Sequence, residues 1–264
     1  MVSRTLSART AFAAVGLLCA GFVSASPAAT VTYDFTGATT GYTLTKDFTS
    51  GLGNPLLTVS ANTVSTDGSV VTPVTSYGVG QWSGLGLGIK NSSTDNSHTI
   101  DGYGLNDLLV LAFSSSVTFL SATFTYAGVL NNSFDDFAFF ASPTNDGSVA
   151  GDMIFSSEDI IGTNGTGYYN FTTGAYGGTY FGQFFGIGAI FDAVYQECVR
   201  YRYGNCKEWN SYTVFDSFKL ASVTVDYTPP QTTPEVPLPA GLVLMLSALA
   251  GLSFFNRSKS KAAA

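Results

Sequence analysis

The fold class is decided by residues 106–126, which read NDLLVLAFSSSVTFLSATFTY. Apolar residues recur at every second position before the serines, at Leu109, Leu111 and Phe113. A period of two is the spacing of a β-strand that buries one face. The three serines, Ser114–Ser116, predict a short turn, so the two halves of the stretch are expected to pair as a β-hairpin.

The second half of this stretch, Val117–Tyr126, keeps the period of two with one irregularity. A kink near Ser121 would bring its apolar side chains to a single face. The side chains collected on that face are Val117, Phe119, Ala122, Phe124 and Tyr126. We therefore expect both halves of residues 106–126 to contribute to one core.

Similar short runs occur along the rest of the chain, separated by clusters of Gly, Asn, Asp and Ser, and no long apolar stripe of helical period is present. The other predicted strands are Val31–Phe35, Leu56–Val64, Phe134–Ala141, Thr179–Phe191 and Phe218–Tyr227. Many short, aromatic-rich strands predict an all-β fold, an antiparallel β-sandwich of the jelly-roll type. We place it in one domain, residues 26–228, followed by a proline-rich linker at 229–235.

Composition and charge exclude several classes of function. The chain has 264 residues, of which 45% are hydrophobic and 11% are charged, and its net charge is −7. Within residues 26–240, six lysines and arginines stand against 18 carboxylates, which gives this body a net charge of −12. Because so acidic a body repels a phosphate backbone, we expect no nucleic-acid partner. One histidine and three cysteines leave little for a His/Cys zinc site or a histidine-based triad.

Cys198 and Cys206 are the two cysteines that remain once the predicted signal peptide is removed. In an oxidising compartment, a pair that closes so short a loop is typical of a disulfide, which the chain-entropy model values at about 2.5 kcal/mol. A zinc pair would need two more ligands, and a redox pair favours a two-residue spacing.

The segment around these cysteines also combines cationic and aromatic side chains, and Arg200, Arg202 and Lys207 place half of the body's cations in eight positions. Stacking and charge pairing make it a candidate site for acidic polysaccharide. The candidate glycan-binding residues are Arg200, Arg202, Tyr201, Tyr203 and Trp209. The alternative interpretation is a solvated hairpin tip without a ligand.

Fourteen of the 18 acidic residues are Asp, and most lie beside Asn or Gly. Short carboxylates on turns suit calcium, which takes about six to eight oxygen ligands from flexible loops. The preferred calcium ligands are Asp101, Asp107, Asp135 and Asp136. Asp and Asn also favour turns through local hydrogen bonds, so a purely structural role is the alternative.

We predict no catalytic site. The neighbouring carboxylates Asp135–Asp136 and Glu158–Asp159 would point to opposite faces of a strand, unlike the two carboxylates that flank a glycosidic bond. His98, the sole imidazole, is expected to be an exposed loop residue. The glycine-rich stretch Gly177–Gly188 alternates with aromatic residues and predicts a bulged strand rather than an anion-binding loop.

Residues 1–25 have the organisation of a secretory signal peptide. Two arginines precede the apolar Ala11–Phe22, and Val23–Ala25 offers small residues for cleavage. Cys19 follows Leu18, where a lipoprotein signal needs Gly or Ala, so lipidation is not favoured. We therefore expect the chain to be exported.

The other end has three parts in order: the proline motif Val236–Ala240, the apolar run Gly241–Phe255 and a basic segment. As a helix, this run would reach about 22 Å, against the roughly 30 Å hydrocarbon core of a bilayer. It predicts a short, weak transmembrane helix. The positive-inside rule would keep Arg257, Lys259 and Lys261 cytoplasmic and the body outside.

This tail, residues 236–261, resembles the PEP-CTERM sorting signal of Gram-negative bacteria in its VPLPA form. The motif residues are Val236, Pro237, Leu238, Pro239 and Ala240. The resemblance implies processing by an exosortase, a membrane-embedded transpeptidase that cuts near the proline motif, after transient anchoring in the inner membrane. The alternatives are a plain single-span anchor and a GPI signal, but a GPI signal normally ends with its apolar run.

Proteins with such tails accompany extracellular polysaccharide and biofilm functions. Segments 100–109, 135–137 and 215–225 are similar to the ectodomains often attached to PEP-CTERM tails. The resemblance implies an exported, non-catalytic protein of the cell surface or extracellular matrix, associated with exopolysaccharide. One alternative is a lectin-like carbohydrate-binding module, with or without calcium. A glycan-cleaving enzyme is the other.

Overall fold

The computed structural model describes residues 27–95, 98–102, 104–125, 136–159, 161–163, 166–190, 192–229 and Met245. The predicted signal peptide, the linker beyond Pro229, the sorting motif and the basic end lie outside these residues. Among the described residues, no helix has the length and apolar character needed to span a membrane.

All seventeen elements in the described part of the chain are β-strands, as the period-two runs predict. They are β1 (Ala29–Asp34), β2 (Thr40–Thr43), β3 (Thr45–Phe48), β4 (Leu57–Val64), β5 (Val71–Pro73), β6 (Gly78–Trp82), β7 (Gly86–Lys90), β8 (Ile100–Asp101), β9 (Asn106–Thr125), β10 (Asp136–Ser142), β11 (Met153–Asp159), β12 (Ile161–Thr163), β13 (Thr166–Asn170), β14 (Tyr180–Gly188), β15 (Asp192–Arg202), β16 (Asn205–Phe215) and β17 (Ser217–Tyr227).

Fifteen of these strands form one main sheet, and β15 and β16 pair with each other. The main sheet follows the order β11-β10-β14-β9-β17-β7-β6-β2. Outside this path, β1 and β8 pair with β17, β4 and β13 pair with β9, β3 and β5 pair with β4, and β12 pairs with β13. Neighbouring strands run antiparallel throughout these pairings, so the predicted antiparallel all-β fold is confirmed.

Strand β9 shows that the predicted hairpin is wrong, because one twenty-residue strand runs through Ser114–Ser116 without a turn. Its first half pairs with β4 and its second half with β17, while β14 pairs with residues on both sides of the serines. Ser114 donates its N–H to the Leu56 carbonyl at 2.9 Å, and its Oγ accepts the Leu56 N–H at 2.9 Å. Since these two bonds join Ser114 to Leu56, the strand continues through the serines. They lie where the pairing of β9 changes from β4 to β17.

The kink that the sequence predicts in β9 is present. The register of β9 with β17 shifts between Phe119 and Ser121. Both halves of β9 consequently face the core, with buried side chains at Leu109, Leu111, Phe113, Val117, Phe119, Ala122 and Phe124. Tyr126, the last residue of the predicted set, lies outside the described residues.

Phenylalanine rings form the centre of this core. The Phe119 ring centroid lies 5.4 Å from that of Phe139, 5.0 Å from that of Phe171 and 4.9 Å from that of Phe185. Such tilted and edge-to-face pairs contribute about 0.5–1.5 kcal/mol beyond the burial of area. Strands β1, β6 and β7 add residues to the same core.

Strand β10 explains why some runs do not alternate. Phe137 and Phe139 belong to the main core, whereas Ala138 and Phe140 belong to a second buried cluster with Leu108. A strand buried on both faces reads as a continuous apolar run.

Strand β14 confirms the interpretation of the glycine-rich stretch. It is an ordinary ladder strand whose register with β9 shifts between Gly182 and Phe184, as expected for a bulge. This stretch is therefore part of the main sheet and not an anion-binding loop.

Candidate functional site

The cysteine-flanked loop is a two-stranded antiparallel arm made of β15 and β16, called the ribbon below. Its tip is the two-residue loop Tyr203–Gly204, between the paired residues Arg202 and Asn205. Both tip residues have positive φ, 54° and 76°. Two consecutive positive φ values are typical of a type I′ turn, whose twist matches that of the strands. The segment therefore ends in a hairpin tip, as both interpretations of this segment allow. What the tip can bind depends on its side chains.

A disulfide joins Cys198 to Cys206 across the ribbon, with a Cα–Cα distance of 5.7 Å, as predicted. In the strand register, Trp209 lies opposite Cys198 and Tyr201 lies opposite Cys206. Directly opposed residues share a face of an antiparallel pair. Both rings therefore flank the disulfide on one face, and they remain 58% and 69% exposed.

Arg202 lies on the other face of the ribbon, because it follows Tyr201 in register and pairs with Asn205. Arg200 pairs with Glu208, and register shifts flank this pair on both sides. The Arg202 guanidinium also lies 5.4 Å from the ring centroid of Tyr203, which is 87% exposed. The structure thus brings all five predicted glycan-binding residues onto the ribbon, with a stacking face, a charged face and a tip where a ring and a cation meet.

A second concentration of rings and cations, which the sequence did not predict, lies on the main sheet. It forms where β2, β6, β7 and β17 meet the loop before β8. This aromatic-lysine cluster consists of Tyr42, Tyr77, Trp82, Lys90, His98 and Lys219. The Tyr42 ring is its centre, with ring centroids 6.3 Å from Tyr77, 5.7 Å from Trp82 and 5.8 Å from His98.

Lys219 is the buried cation of this cluster and is only 4% exposed. Its Nζ lies 3.7 Å from the Trp82 ring centroid and donates a hydrogen bond to the His98 carbonyl. Burial lowers the pKa of Lys219 to about 8, although the carboxylates of Asp101 and Asp95 oppose this shift. The face of the indole replaces part of the hydration that the ammonium loses.

His98 is not the exposed loop residue that the sequence suggests. Its ring is half-buried and stacks on Trp82 at 5.8 Å, and a hydrogen bond joins its Nδ1 to the Tyr42 hydroxyl. Its φ of 57° lies in the left-handed region, which is uncommon for a residue with a Cβ. The imidazole is therefore part of the packing of the cluster.

Two glycines make room for the cluster. Gly80 of β6 pairs with Gly88 of β7. A Cβ on Gly80 would lie 2.4 Å from the Trp82 ring and 2.9 Å from the Tyr42 ring, and a Cβ on Gly88 would lie 2.1 Å from the His98 carbonyl oxygen. The rings and the loop therefore rest directly on the backbone of the sheet. The sequence signal for this site is the alternation of glycines over residues 78–88, next to aromatic residues.

Two of the predicted calcium ligands, Asp101 and Asp107, meet beside this cluster. The Asp101 N–H donates to Asp107 Oδ2 at 3.3 Å, and Asn91 Nδ2 donates to Asp107 Oδ1 at 2.9 Å. Thr99 donates its hydroxyl to Asp101 Oδ2 at 3.1 Å. Burial, followed by the charge of Asp101, raises the pKa of Asp107 well above its ordinary value. These hydrogen bonds account for the burial of Asp101 and Asp107, and they do not require a bound ligand.

Of the other two predicted calcium ligands, Asp136 lies among the described residues. Asp136 donates its N–H to Asp216 Oδ1 at 3.2 Å on β10, and Asp135 lies outside the described residues. Within the described ranges, no three His, Cys, Asp or Glu side chains form a group that could hold a metal ion. Calcium binding therefore stays a prediction. Melting curves of the purified chain with calcium and with a chelator test it, and superimposable curves would contradict it.

The ribbon and the aromatic-lysine cluster share one chemical feature. Each places a positively charged group beside an aromatic ring, as Arg202 does at Tyr203 and Lys90 does at Tyr77, 5.0 Å from the ring centroid. This combination suits a ligand that carries both an apolar face and a negative charge. Comparison of the chain with protein-family models, curated proteins and solved structures finds no match.

Proposed function

We propose that the chain is an exported, non-catalytic protein of a bacterial cell surface or extracellular matrix, and that its body binds acidic polysaccharide through the ribbon. The signal-peptide pattern of residues 1–25 supports export. The tail supports exosortase processing at Val236–Ala240, with Gly241–Phe255 as a temporary inner-membrane anchor. We further propose that the body is a sandwich of the jelly-roll type.

The exposed rings and cations of the ribbon are the observation that carries the binding proposal. Tyr201, Tyr203 and Trp209 are all more than half exposed. Three of the body's six cations lie on the same ribbon, in a body whose net charge is −12. The ribbon also contains Asp192, Glu197 and Glu208, so it is neutral, and an acidic chain would meet less repulsion there than on the rest of the body. A pyranose ring can pack its C–H face on an aromatic ring while its carboxylate pairs with a guanidinium.

The ribbon is also held in shape before any ligand arrives. The disulfide and the type I′ turn restrict both ends of the segment that carries Arg200, Tyr201 and Arg202. A site that is already ordered loses less conformational entropy on binding. This favours binding at the ribbon over a merely solvated tip.

The binding proposal is tested with purified chain and polygalacturonate. Replacing the stacking face, Tyr201→Ala with Trp209→Ala, is expected to weaken binding about tenfold or more, as for other exposed aromatic anchors. Val199→Ala is the matched control, since Val199 is an exposed apolar residue of the same strand. Arg200→Gln with Arg202→Gln is expected to lower both the affinity and its dependence on salt. Affinities equal to wild type in both double variants would overturn the proposal.

The export proposal has a separate test. Mass spectrometry of the chain recovered from its native bacterium should show a mature protein that begins near residue 26 and lacks the apolar run Gly241–Phe255. An intact segment from residue 236 to residue 264 would contradict processing by an exosortase. Turnover of a polysaccharide by the purified chain would contradict the non-catalytic assignment.

A further inference from the structure

We infer that the aromatic-lysine cluster is a second binding site for acidic saccharides, in which Tyr42 and Tyr77 pack against a sugar ring and Lys90 pairs with its carboxylate. This site lies on the main sheet, whereas β15 and β16 pair only with each other in the described part of the chain. The inference adds a second site for the ligand class of the proposed function and rests on that function for its biological role.

Lys90 is the cation that this site offers to a ligand. Its Nζ lies 5.0 Å from the ring centroid of Tyr77 and 5.9 Å from that of Tyr42. Lys90 is half-buried and Tyr77 is 43% exposed. The contacts that the described residues provide to the Lys90 ammonium are two neutral rings, which leaves its positive charge available to an anion.

Lys219 has a different part in the site. It is buried, bonded to the His98 carbonyl and covered by Trp82, and Asp101 and Asp95 lie near enough to act on its charge. It therefore holds Trp82 and the His98 loop in place. Because Lys219 is not at the surface, a ligand would meet Lys90 first.

The rings are positioned before a ligand arrives. The paired glycines Gly80 and Gly88 let Trp82, Tyr42 and the His98 loop lie against the sheet, where any larger residue would collide with them. Tyr77 has a φ of 64°, an unusual conformation for a bulky residue. Such conformations are kept where the surrounding structure imposes them, often at ligand sites.

The ligand class follows from the combination of groups. A small inorganic anion would use the ammonium of Lys90 and leave the tyrosine rings without a role. A neutral sugar would use the rings and accept hydrogen bonds from the ammonium, but it would leave the positive charge of Lys90 uncompensated. A saccharide that carries carboxylates, such as a polyuronate, uses both and also matches the chemistry of the ribbon.

The cations of the body are concentrated in two places. Among the six cations of residues 26–240, Arg200, Arg202 and Lys207 lie on the ribbon, and Lys90 and Lys219 lie in the cluster. The sixth, Lys46, donates hydrogen bonds to Thr40 and to the Gly41 carbonyl. Carboxylates beside the cluster act on Lys219, so the attraction of this site for an anion rests on Lys90. Two sites on one chain would bind a long polymer more tightly than either site alone.

The two tryptophans of the chain allow the two sites to be followed separately, since Trp82 lies in the cluster and Trp209 on the ribbon. In full-length Trp209→Phe chain, titration with tetragalacturonate is expected to change the emission of Trp82 with saturation. Adding Lys90→Gln is expected to weaken this response tenfold or more, whereas Lys90→Arg should retain it. Lys46→Gln is the matched control for loss of one positive charge, and methyl-esterified tetragalacturonate is the control for the charge of the probe.

A Trp82 emission that does not respond to tetragalacturonate, or a response that Lys90→Gln leaves unchanged, would overturn the inference. If Lys90→Gln also lowers the melting temperature, Tyr77→Asn decides the question, because Asn accepts the left-handed conformation without supplying a ring. In Trp82→Phe chain, the emission of Trp209 reports on the ribbon. If only the Trp209 emission fails to respond to tetragalacturonate, the proposed function is contradicted. If only the Trp82 emission fails to respond, this inference is contradicted.

Discussion

The main sheet and the ribbon use aromatic residues in opposite ways. In the sheet, Phe119, Phe139 and Phe171 are fully buried, with ring centroids 4.3–5.4 Å apart. In the ribbon, Tyr201 and Trp209 remain exposed beside a disulfide. An isolated two-stranded hairpin is marginally stable in water. Burial of apolar area therefore stabilises the sheet, whereas a covalent link and a tight turn stabilise the ribbon and leave its rings exposed to a ligand.

The largest effect is expected from breaking the core of the sheet. Phe119→Ala should lower the free energy of unfolding by about 3–5 kcal/mol, because it leaves a cavity among several buried rings. Tyr201→Ala, the matched change on the ribbon, should alter it by no more than about 0.5 kcal/mol. Urea unfolding of the two variants measures both values. Equal losses would contradict the contrast between the two regions.

The next effect concerns the buried cation of the sheet. The pKa of Lys219 is about 8 in the folded chain, against 10.5 for the unperturbed group. Between these two values the unfolded chain binds more protons, so this group makes wild-type stability rise with pH. Lys219→Met lacks the titration, and the stability of wild type relative to this variant should increase by on the order of 3 kcal/mol from pH 8 to pH 10.5.

Urea unfolding at three pH values across this window measures the change. Lys207→Met removes the same group from the exposed ribbon and serves as the control. A difference between wild type and Lys219→Met that stays constant with pH would contradict the burial of the ammonium.

A third experiment opens the ribbon. Replacing Cys198 and Cys206 together by Ser should destabilise the ribbon by about 2.5 kcal/mol, through the lost constraint on the unfolded segment. Trypsin should then cleave after Arg200, Arg202 and Lys207 much faster than in wild type. The unfolding midpoint of the main sheet should change little, because β15 and β16 pair only with each other in the described part of the chain. If the main sheet also loses about 2.5 kcal/mol of unfolding free energy, the ribbon and the sheet unfold as one cooperative unit.

The smallest effect is expected at the tip of the ribbon. Tyr203 has a φ of 54°, and Asn followed by Gly is the preferred pair for a type I′ turn. Tyr203→Asn should therefore stabilise the ribbon by about 1 kcal/mol and slow its cleavage by trypsin. The same change should weaken polygalacturonate binding if the tip ring contacts the sugar. Faster cleavage of this variant would contradict the turn assignment.

Local patterns predicted much of the fold. The short apolar runs placed both ends of β1, β4, β10 and β17 within two residues, and the predicted β14 extended three residues too far at its C-terminal end. The kink near Ser121 is confirmed. The disulfide followed from two cysteines near each other in sequence. These features depend on neighbours along the chain, which the sequence displays directly.

Other features depend on partners that are distant in sequence. The run Ser114–Ser116 has the composition of a turn, and only the bonds with Leu56 show that the strand continues. The aromatic-lysine cluster joins residues from Tyr42 to Lys219, and no motif connects them. The placement of Trp209 and Tyr201 opposite the two cysteines follows from the register of β15 with β16.

The amino-acid sequence predicts an antiparallel all-β protein with a disulfide that closes a short loop, because strand period and loop closure are short-range properties. Tertiary structure alone decided that a lysine is buried under an indole, that a histidine packs rather than being exposed, and that three serines lie within a strand. These outcomes depend on the order and register of strands far apart in the chain, which set the neighbours of each side chain.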